Sequence, residues 1–197
     1  MRTAAMVTFL VSFAPVAGAV QPIDVSNDSI TCNTLNGVAS IAPPLKIGGT
    51  ATSTIMTVKG LLAGCTVTGL DPVTIVSGKV SGKLEGTSNE CITTFVPLSG
   101  ALTIRWKADK ATPLLQRSST VTIVNATFTG FAMPWAAYGQ FSLGVSGVAG
   151  AFTGGDNGAR SSNVSVTSQD IGEILAECGS PTGLEKQYTG LGQFTLE

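Results

Sequence analysis

The segment VSGKVSGKLEG, residues 76–86, has the composition of a phosphate-binding loop, because glycine stands beside lysine twice. A loop that holds the phosphates of a nucleotide needs the pattern G-x-x-x-x-G-K-[ST] between a strand and a helix. Here Lys83 is followed by Leu84, Ser77 occupies the position of the first glycine, and no helical pattern follows. The segment therefore predicts no nucleotide site.

The same segment is coherent as a β-strand, in which successive side chains lie on opposite faces. One face carries Val76, Val80 and Leu84 with Gly78 and Gly82 between them, and the other carries Ser77, Lys79, Ser81, Lys83 and Glu85. Glycine within a strand often marks the close approach of a neighbouring group. We predict a strand whose glycines leave room for a large side chain, such as Trp106, from the next strand.

The next strand pattern, GALTIRWKAD, places Arg105 and Lys107 on the face opposite to Trp106. With Lys79 and Lys83 they form a basic face of four cations on adjacent strands, which could bind an anionic surface such as a wall polymer. A solvated sheet face is the favoured interpretation, because such charges are usually found there.

Groups for catalysis are scarce, because the chain contains no histidine and so no Ser-His-Asp or Cys-His arrangement. A Ser-Lys mechanism needs a buried lysine, whereas the lysines of SGKVSGK lie on a predicted exposed face. Paired carboxylates could hydrolyse glycosides, but nothing in the sequence pairs them. The candidates are Asp71, Glu85, Glu90, Asp109, Asp156, Glu173 and Glu177. We predict a non-enzymatic protein without a cofactor.

Metal ligands are equally sparse. The cysteine spacings contain no C-x-x-C, and without histidine a zinc site is not expected. The segment GGDNGA, residues 154–159, offers oxygen ligands for calcium but lacks the D-x-D-x-D-G-x₅-E loop, so a tight hairpin turn is favoured. We predict no bound metal.

Aromatic side chains concentrate in GFAMPWAAYG, residues 130–139, which contains Phe131, Met133, Trp135 and Tyr138. Pro134 is expected to prevent a regular ladder, which makes this segment a connection between two strands. Exposed aromatic residues on a loop mark binding sites, so a binding loop is one interpretation of this segment. The favoured interpretation is a hydrophobic plug that closes one end of the sandwich, because large aromatic side chains are usually substantially buried.

The elements that position these residues are short segments with period-2 alternation, separated by Gly, Pro, Asn and Asp. Eight or nine such strands predict an all-β fold, namely a two-sheet sandwich of the immunoglobulin-like or jelly-roll-like kind, or a closed barrel as the alternative. We favour the sandwich. A change of phase between Val145 and Val148 predicts a bulge near Gly147.

One segment has helical spacing. In TSQDIGEILAECG the apolar residues Ile171, Ile174, Leu175 and Cys178 recur at i, i+3, i+4 and i+7, which predicts a short helix near 168–178. Its apolar stripe directs Cys178 to the core, and Cys91 lies in a long connection between strands. Four cysteines allow three pairings, of which we favour Cys32–Cys65 and Cys91–Cys178.

The amino terminus, MRTAAMVTFLVSFAPVAGAVQ, combines a basic start, a short apolar run and an A-x-A site. These are the parts of a secretory signal peptide, so we predict residues 1–19 as the signal and 20–197 as one β domain that is secreted or associated with the cell envelope. The apolar run is too short to span a membrane, and no span is expected after cleavage. A net charge of −1 argues against a nucleic-acid partner.

The order of these features resembles a group of exported actinobacterial proteins of unassigned activity. The resemblance is carried by VKGLLAGCTVTG, VSGKVSGKLEG, GALTIRWKA and SQDIGEILAECGSPTGLEKQYTGLG, and it covers nearly the whole mature chain. It implies export and a β-rich architecture and supplies no site.

Three classes of function follow. A non-enzymatic exported binding or envelope-associated module of unknown partner is favoured, because β scaffolds present binding surfaces and catalytic groups are missing. The alternatives are a barrel-like carrier of a small apolar ligand and a carboxylate-dependent glycoside hydrolase.

Overall fold

The computed structural model describes residues 20–50, 52–70, 72–87, 98–133, 136–153, 161–168 and 171–196. These residues form eight strands and one helix. In chain order they are β1 (Ser29–Leu45), β2 (Ser53–Thr68), β3 (Ile75–Thr87), β4 (Leu98–Ala108), β5 (Ser118–Met133), β6 (Ala136–Gly150), β7 (Ser161–Ser168), α1 (Ile171–Cys178) and β8 (Leu184–Leu196). The predicted signal peptide, residues 1–19, lies outside the described residues.

The strands form one antiparallel sheet in which each strand pairs with the next along the chain. The first strand also pairs with the last, for example Ile30 with Leu196 and Val38 with Tyr188, and this pairing closes the sheet into a barrel. The prediction of an all-β fold is confirmed, whereas the two-sheet sandwich is not what the pairing shows. Alternating side chains line the inside of a barrel as they line a sandwich, so only the β1–β8 pairing separates the two architectures.

The core lies on the inner face of the barrel, where alternate residues of β2, β3 and β4 are buried or half-buried. On β4, Leu102, Ile104 and Trp106 are buried, as the alternation predicts. Arg105, before Trp106, and Lys107, after it, are exposed. The predicted bulge near Gly147 is also confirmed, because the register of β5 and β6 shifts by one residue between the pairs formed by Gly147 and Val145.

One predicted core position is wrong. Val76 is 49% exposed, and the neighbouring Ile75 is buried in its place. The β3–β4 register shifts between Ile75 and Ser77, so the strand changes phase at its first residues. An irregularity of this kind turns the side chain at the bulge away from the face that simple alternation assigns to it.

Trp106 fills the barrel interior beside β3, where Gly78 is its direct register partner. A Cβ atom at Gly78 would lie 2.6 Å from Cζ3 of the indole, so the predicted role of this glycine in leaving room for Trp106 is confirmed. The indole Nε1–H donates to Ser119 Oγ at 2.8 Å, and Ser119 Oγ donates to the Ala151 carbonyl. The Phe152 ring packs edge-to-face on Trp106, with centroids 5.2 Å apart. Buried polar atoms in this cluster are thus hydrogen-bonded, as a packed core requires.

The segment before β1 contacts the connection between β4 and β5 and the residues that follow β6. Ile23 forms a parallel bridge with Leu114, and Val25, which is buried, accepts a hydrogen bond from the Phe152 N–H through its carbonyl at 3.0 Å. Since Phe152 is also fully buried, the interior around Trp106 is occupied by side chains.

The favoured disulfide Cys32–Cys65 is confirmed and joins directly opposed residues of β1 and β2. Cys178 is also disulfide-bonded, and its predicted partner, Cys91, lies outside the described residues. The predicted helix is present but begins at Ile171, because Ser168 is the last residue of β7 and pairs with β8. No helix in the described part of the chain is long and apolar enough to cross a membrane.

Candidate functional site

The outer face of β3 and β4 brings the four predicted cations together. Arg105 is the direct register partner of Lys79, and Lys107 on the same strand is the partner of Ser77. Lys83 lies further along β3, opposite Ala101. All four side chains are exposed, so they project from the wall of the barrel into solvent.

The Lys79–Arg105 pair is unusual for a sheet. Directly opposed residues of an antiparallel pair have Cβ atoms about 4.5–5.5 Å apart, and like charges at that separation destabilise the sheet. An acidic or neutral residue at either position would relieve the repulsion without disturbing the core on the other face. The Lys79–Arg105 pair therefore does not contribute to the stability of the fold.

A fifth cation, Lys59 of β2, belongs to the same face. Its register partner is Ser81, which stands midway between Lys79 and Lys83 on β3, so Lys59 is a diagonal neighbour of both. Lys59 is exposed, as they are. We call Lys59, Lys79, Lys83, Arg105 and Lys107 the basic strip.

The sequence prediction of the basic face did not include Lys59, although a signal was present. In STIMTVKGLL the apolar residues Met56 and Val58 alternate with polar ones, and this alternation assigns Lys59 to the outer face. What the alternation does not give is the register, which alone places β2 beside β3 and Lys59 beside the two lysines.

Charge is segregated on these strands. The β2, β3 and β4 strands contain five of the eleven basic residues of the chain and one of its twelve acidic residues, Glu85. Glu85 lies at the far end of the strip, opposite Ser99 on β4 and Ile55 on β2. A chain with a net charge of −1 thus carries a local positive surface, which attracts anions despite the overall balance.

Hydroxyl groups lie between the cations of the basic strip. Ser81 and Thr103 are register partners in the row between the Lys79–Arg105 pair and Lys83. Leu61, which is 49% exposed, is the register partner of Lys79 on the β2 side. The surface can therefore supply ammonium and guanidinium charges together with neutral hydrogen-bonding groups.

The predicted aromatic binding loop has a different backbone from the one expected. Residues up to Met133 belong to β5 and residues from Ala136 belong to β6, with Phe131 paired to Tyr138 and Met133 to Ala136. The prediction of an irregular connection over 130–139 is therefore wrong, because the β5–β6 ladder extends to the pair of Met133 and Ala136. Trp135 and the side chains of Phe131, Met133 and Tyr138 lie outside what the structure describes, so the binding role stays a prediction.

The candidate carboxylates are dispersed. Glu85 is on the outer face of β3, Glu173 and Glu177 are exposed on α1, and Asp109 accepts the Ala111 N–H at 3.1 Å in the turn after β4. Asp71, Glu90, Asp156 and the segment 154–159 lie outside the described residues. Within the described ranges, no group of three or more Cys, Asp or Glu side chains could hold a metal ion.

One carboxylate is buried. Asp28, in the turn before β1, is 4% exposed; its Oδ1 accepts the Leu70 N–H at 3.2 Å, and its Oδ2 has no hydrogen-bond partner in the structure. Its hydrogen bond joins the turn before β1 to the turn after β2, two segments that are distant in sequence.

Comparison of the chain with known protein families, curated proteins and solved structures finds no match. The resemblance to exported actinobacterial proteins therefore stays a prediction, and the function has to be argued from the surface itself.

Proposed function

We propose that the protein is a non-enzymatic binding module of the cell envelope, and that the basic strip on β2, β3 and β4 binds an anionic polymer. The observation that carries this proposal is the direct opposition of Lys79 and Arg105, continued by Lys59, Lys83 and Lys107. A sheet gains nothing from this arrangement in isolation, whereas a polyanion relieves the repulsion when it binds.

An exported location supports this reading. The Cys32–Cys65 disulfide and the disulfide of Cys178 fit an oxidising environment outside the cytosol. The predicted signal peptide, residues 1–19, would deliver the chain there. Anionic polymers of the envelope are then the partners that such a surface meets at high local concentration.

The physical basis is multivalent attraction between exposed charges. One exposed ion pair contributes little, about 0–1 kcal/mol, because water and salt screen it. Five cations held on a rigid barrel wall act on one polymer at once, and each bound anionic group raises the effective concentration of the next. Binding should therefore be strong at low ionic strength and weaken steeply as salt is added.

The test is titration calorimetry of the folded protein with long linear polyphosphate at about 0.02 M and about 0.2 M salt. We expect the dissociation constant to rise at least tenfold between these two salt concentrations. The double variant Lys79→Gln/Arg105→Gln should bind at least tenfold more weakly than the parent at low salt.

The matched control is Lys46→Gln/Lys186→Gln, which removes two positive charges from exposed positions after β1 and on β8. We expect its affinity to stay within about threefold of the parent, because position decides binding rather than net charge. Equal loss in both double variants, salt-insensitive binding, or no binding by the parent would contradict the proposal.

A second candidate function is favoured by the closed topology. Eight strands enclose just enough space for packed side chains or for one small ligand, so a carrier of an apolar molecule is compatible with this barrel. Side chains fill the described interior around Trp106 and Phe152, so we propose no ligand beside these two residues. Saturable one-site binding of the neutral dye Nile red, unchanged in Lys79→Gln/Arg105→Gln, would support the carrier. If Nile red shows no saturable binding, this second function is excluded.

A further inference from the structure

We infer that the ligand of the basic strip is a linear polyanion that follows the cations from β4 over β3 to β2 and back to β3, and that carries one anionic group per short repeat, as a phosphodiester-linked polyol does. This inference rests on the proposed function and adds to it the shape and the charge spacing of the partner. It also assigns a specific part to Lys59, the cation that joins the two lysines of β3.

The register fixes the order of the charges. Lys107 and Arg105 are alternate residues of β4, which places them about 7 Å apart on one face. Arg105 is directly opposite Lys79, at about 5 Å, and Lys59 is a diagonal neighbour of Lys79, at about 7–8 Å. A further diagonal step of the same length reaches Lys83.

The cations therefore follow one another along a path with steps of about 5–8 Å. In an extended phosphodiester polymer with a glycerol linker, successive phosphorus atoms are separated by about 7 Å of covalent chain, comparable to the span of two peptide units. Because this spacing is close to the spacing of the cations, each phosphate of such a polymer can contact one cation of the basic strip. Long lysine stems absorb the remaining differences in spacing.

The same path argues against a single small anion. A site for one anion needs donors that converge on one point, usually in a concave pocket. Here the charges stand in separate register positions on the outer wall of a barrel, and all five side chains are exposed. Five cations at such separations can be satisfied together only by an extended partner.

The groups between the cations favour a polymer over a lipid surface. Proteins that lie on a bilayer usually insert Trp, Phe or Leu side chains beside their basic residues. Ser81 and Thr103 occupy the centre of the strip instead, and they can donate hydrogen bonds to phosphate or polyol oxygens. Leu61 is an exposed apolar residue directly opposite Lys79, so binding to a lipid surface would depend on this residue.

The experiment measures the affinity of the full chain for linear glycerol-phosphate oligomers of about two to about ten phosphates at fixed low salt. Affinity should rise with each added phosphate until about five are present and only slightly beyond. For the longest oligomer, the logarithm of the association constant plotted against the logarithm of the salt concentration should have a slope of about −3 to −4. Each contacted phosphate of a single strand contributes about −0.7 to this slope. The shortest oligomer should give a slope of about −1 to −1.5.

Lys59→Gln interrupts the path at its middle. We expect this variant to lose at least tenfold in affinity for the longest oligomer and less than threefold for the shortest, which the Arg105–Lys79 pair alone can hold. Lys186→Gln, an exposed lysine on β8, is the matched control and should bind both oligomers as the parent does.

Three outcomes would overturn the inference while leaving the proposed function intact: affinity independent of length beyond about two phosphates, an unaffected Lys59→Gln variant, or equal losses for short and long oligomers. Tighter binding to vesicles rich in anionic lipid, lost in Leu61→Ser, would replace the polymer by a membrane surface. By contrast, failure of the proposed function would appear as salt-insensitive binding or none, with every oligomer.

Discussion

The two faces of the β3–β4 ladder carry neighbouring residue pairs with opposite effects on stability. On the inner face Gly78 is paired with Trp106, and the absence of a side chain at one position admits the indole at the other. One residue further along β3, on the outer face, Lys79 is paired with Arg105, and two like charges face each other. The inner pair stabilises the fold and the outer pair destabilises it. The residues of the inner face serve the core, and the like charges on the outer face are the reason for our proposal that this face binds a partner.

The largest effect is expected from Trp106→Ala. The substitution removes a buried aromatic ring that packs on Phe152 and donates to Ser119, so the free energy of unfolding should fall by about 3–5 kcal/mol. Chemical denaturation measures this loss. Trp106→Phe, which keeps most of the ring and loses the hydrogen bond, should lose clearly less. A loss below about 1 kcal/mol in Trp106→Ala would show that the inner face is not closely packed.

Removal of the Cys32–Cys65 disulfide should have the next largest effect. The bridge closes a loop with a sequence separation of 33, so replacing both cysteines by alanine should lower the free energy of unfolding by about 2–4 kcal/mol. Binding to polyphosphate in the folded state should not change, because the bridge joins β1 to β2 and touches no residue of the basic strip. Unchanged stability under denaturant would contradict the prediction.

Gly78→Ala tests the contact between the two inner residues directly. The added Cβ would meet Trp106 at 2.6 Å, so either the indole or the strand must shift, at a cost of about 1–3 kcal/mol. Ser77→Ala, a change of similar size at the neighbouring position of β3, is the control and should stay within about 0.5 kcal/mol of the parent. Equal stability of Gly78→Ala and the control would mean that the glycine is not required by Trp106.

The sequence was informative where a feature depends on neighbours along one strand. The alternation around Trp106 and the glycines of β3 predicted the inner pair correctly, because period 2 is local information. Closure of the barrel could not be read in this way, since it depends on β1 meeting β8 at the far end of the chain. Lys59 was missed for the same reason, because its place in the strip follows from register and not from its own strand.

Two errors have local causes. Val76 was assigned to the core by alternation, which cannot reveal the register shift after Ile75. The segment 130–139 was predicted to be irregular because Pro134 lacks a backbone donor, yet Met133 and Ala136 pair with each other. A proline removes only its own hydrogen bond, so the residues around it remain free to continue a ladder.

The smallest effect, and the one that separates the two faces most sharply, is expected from Lys79→Glu. This substitution converts the opposed Lys79–Arg105 pair into an opposite-charge pair, so the free energy of unfolding should rise by up to about 1 kcal/mol at low salt. The gain should shrink as salt screens the exposed charges, whereas affinity for polyphosphate should fall at least tenfold. Lys186→Glu, which makes the same change of charge at an exposed position of β8, should alter neither quantity appreciably. A gain in stability with a loss of binding would show that this position is occupied by lysine at the expense of the fold. If Lys79→Glu instead lowers stability at low salt, the like-charge pair is not repulsive, and the main physical reason for assigning a partner to the basic strip is removed.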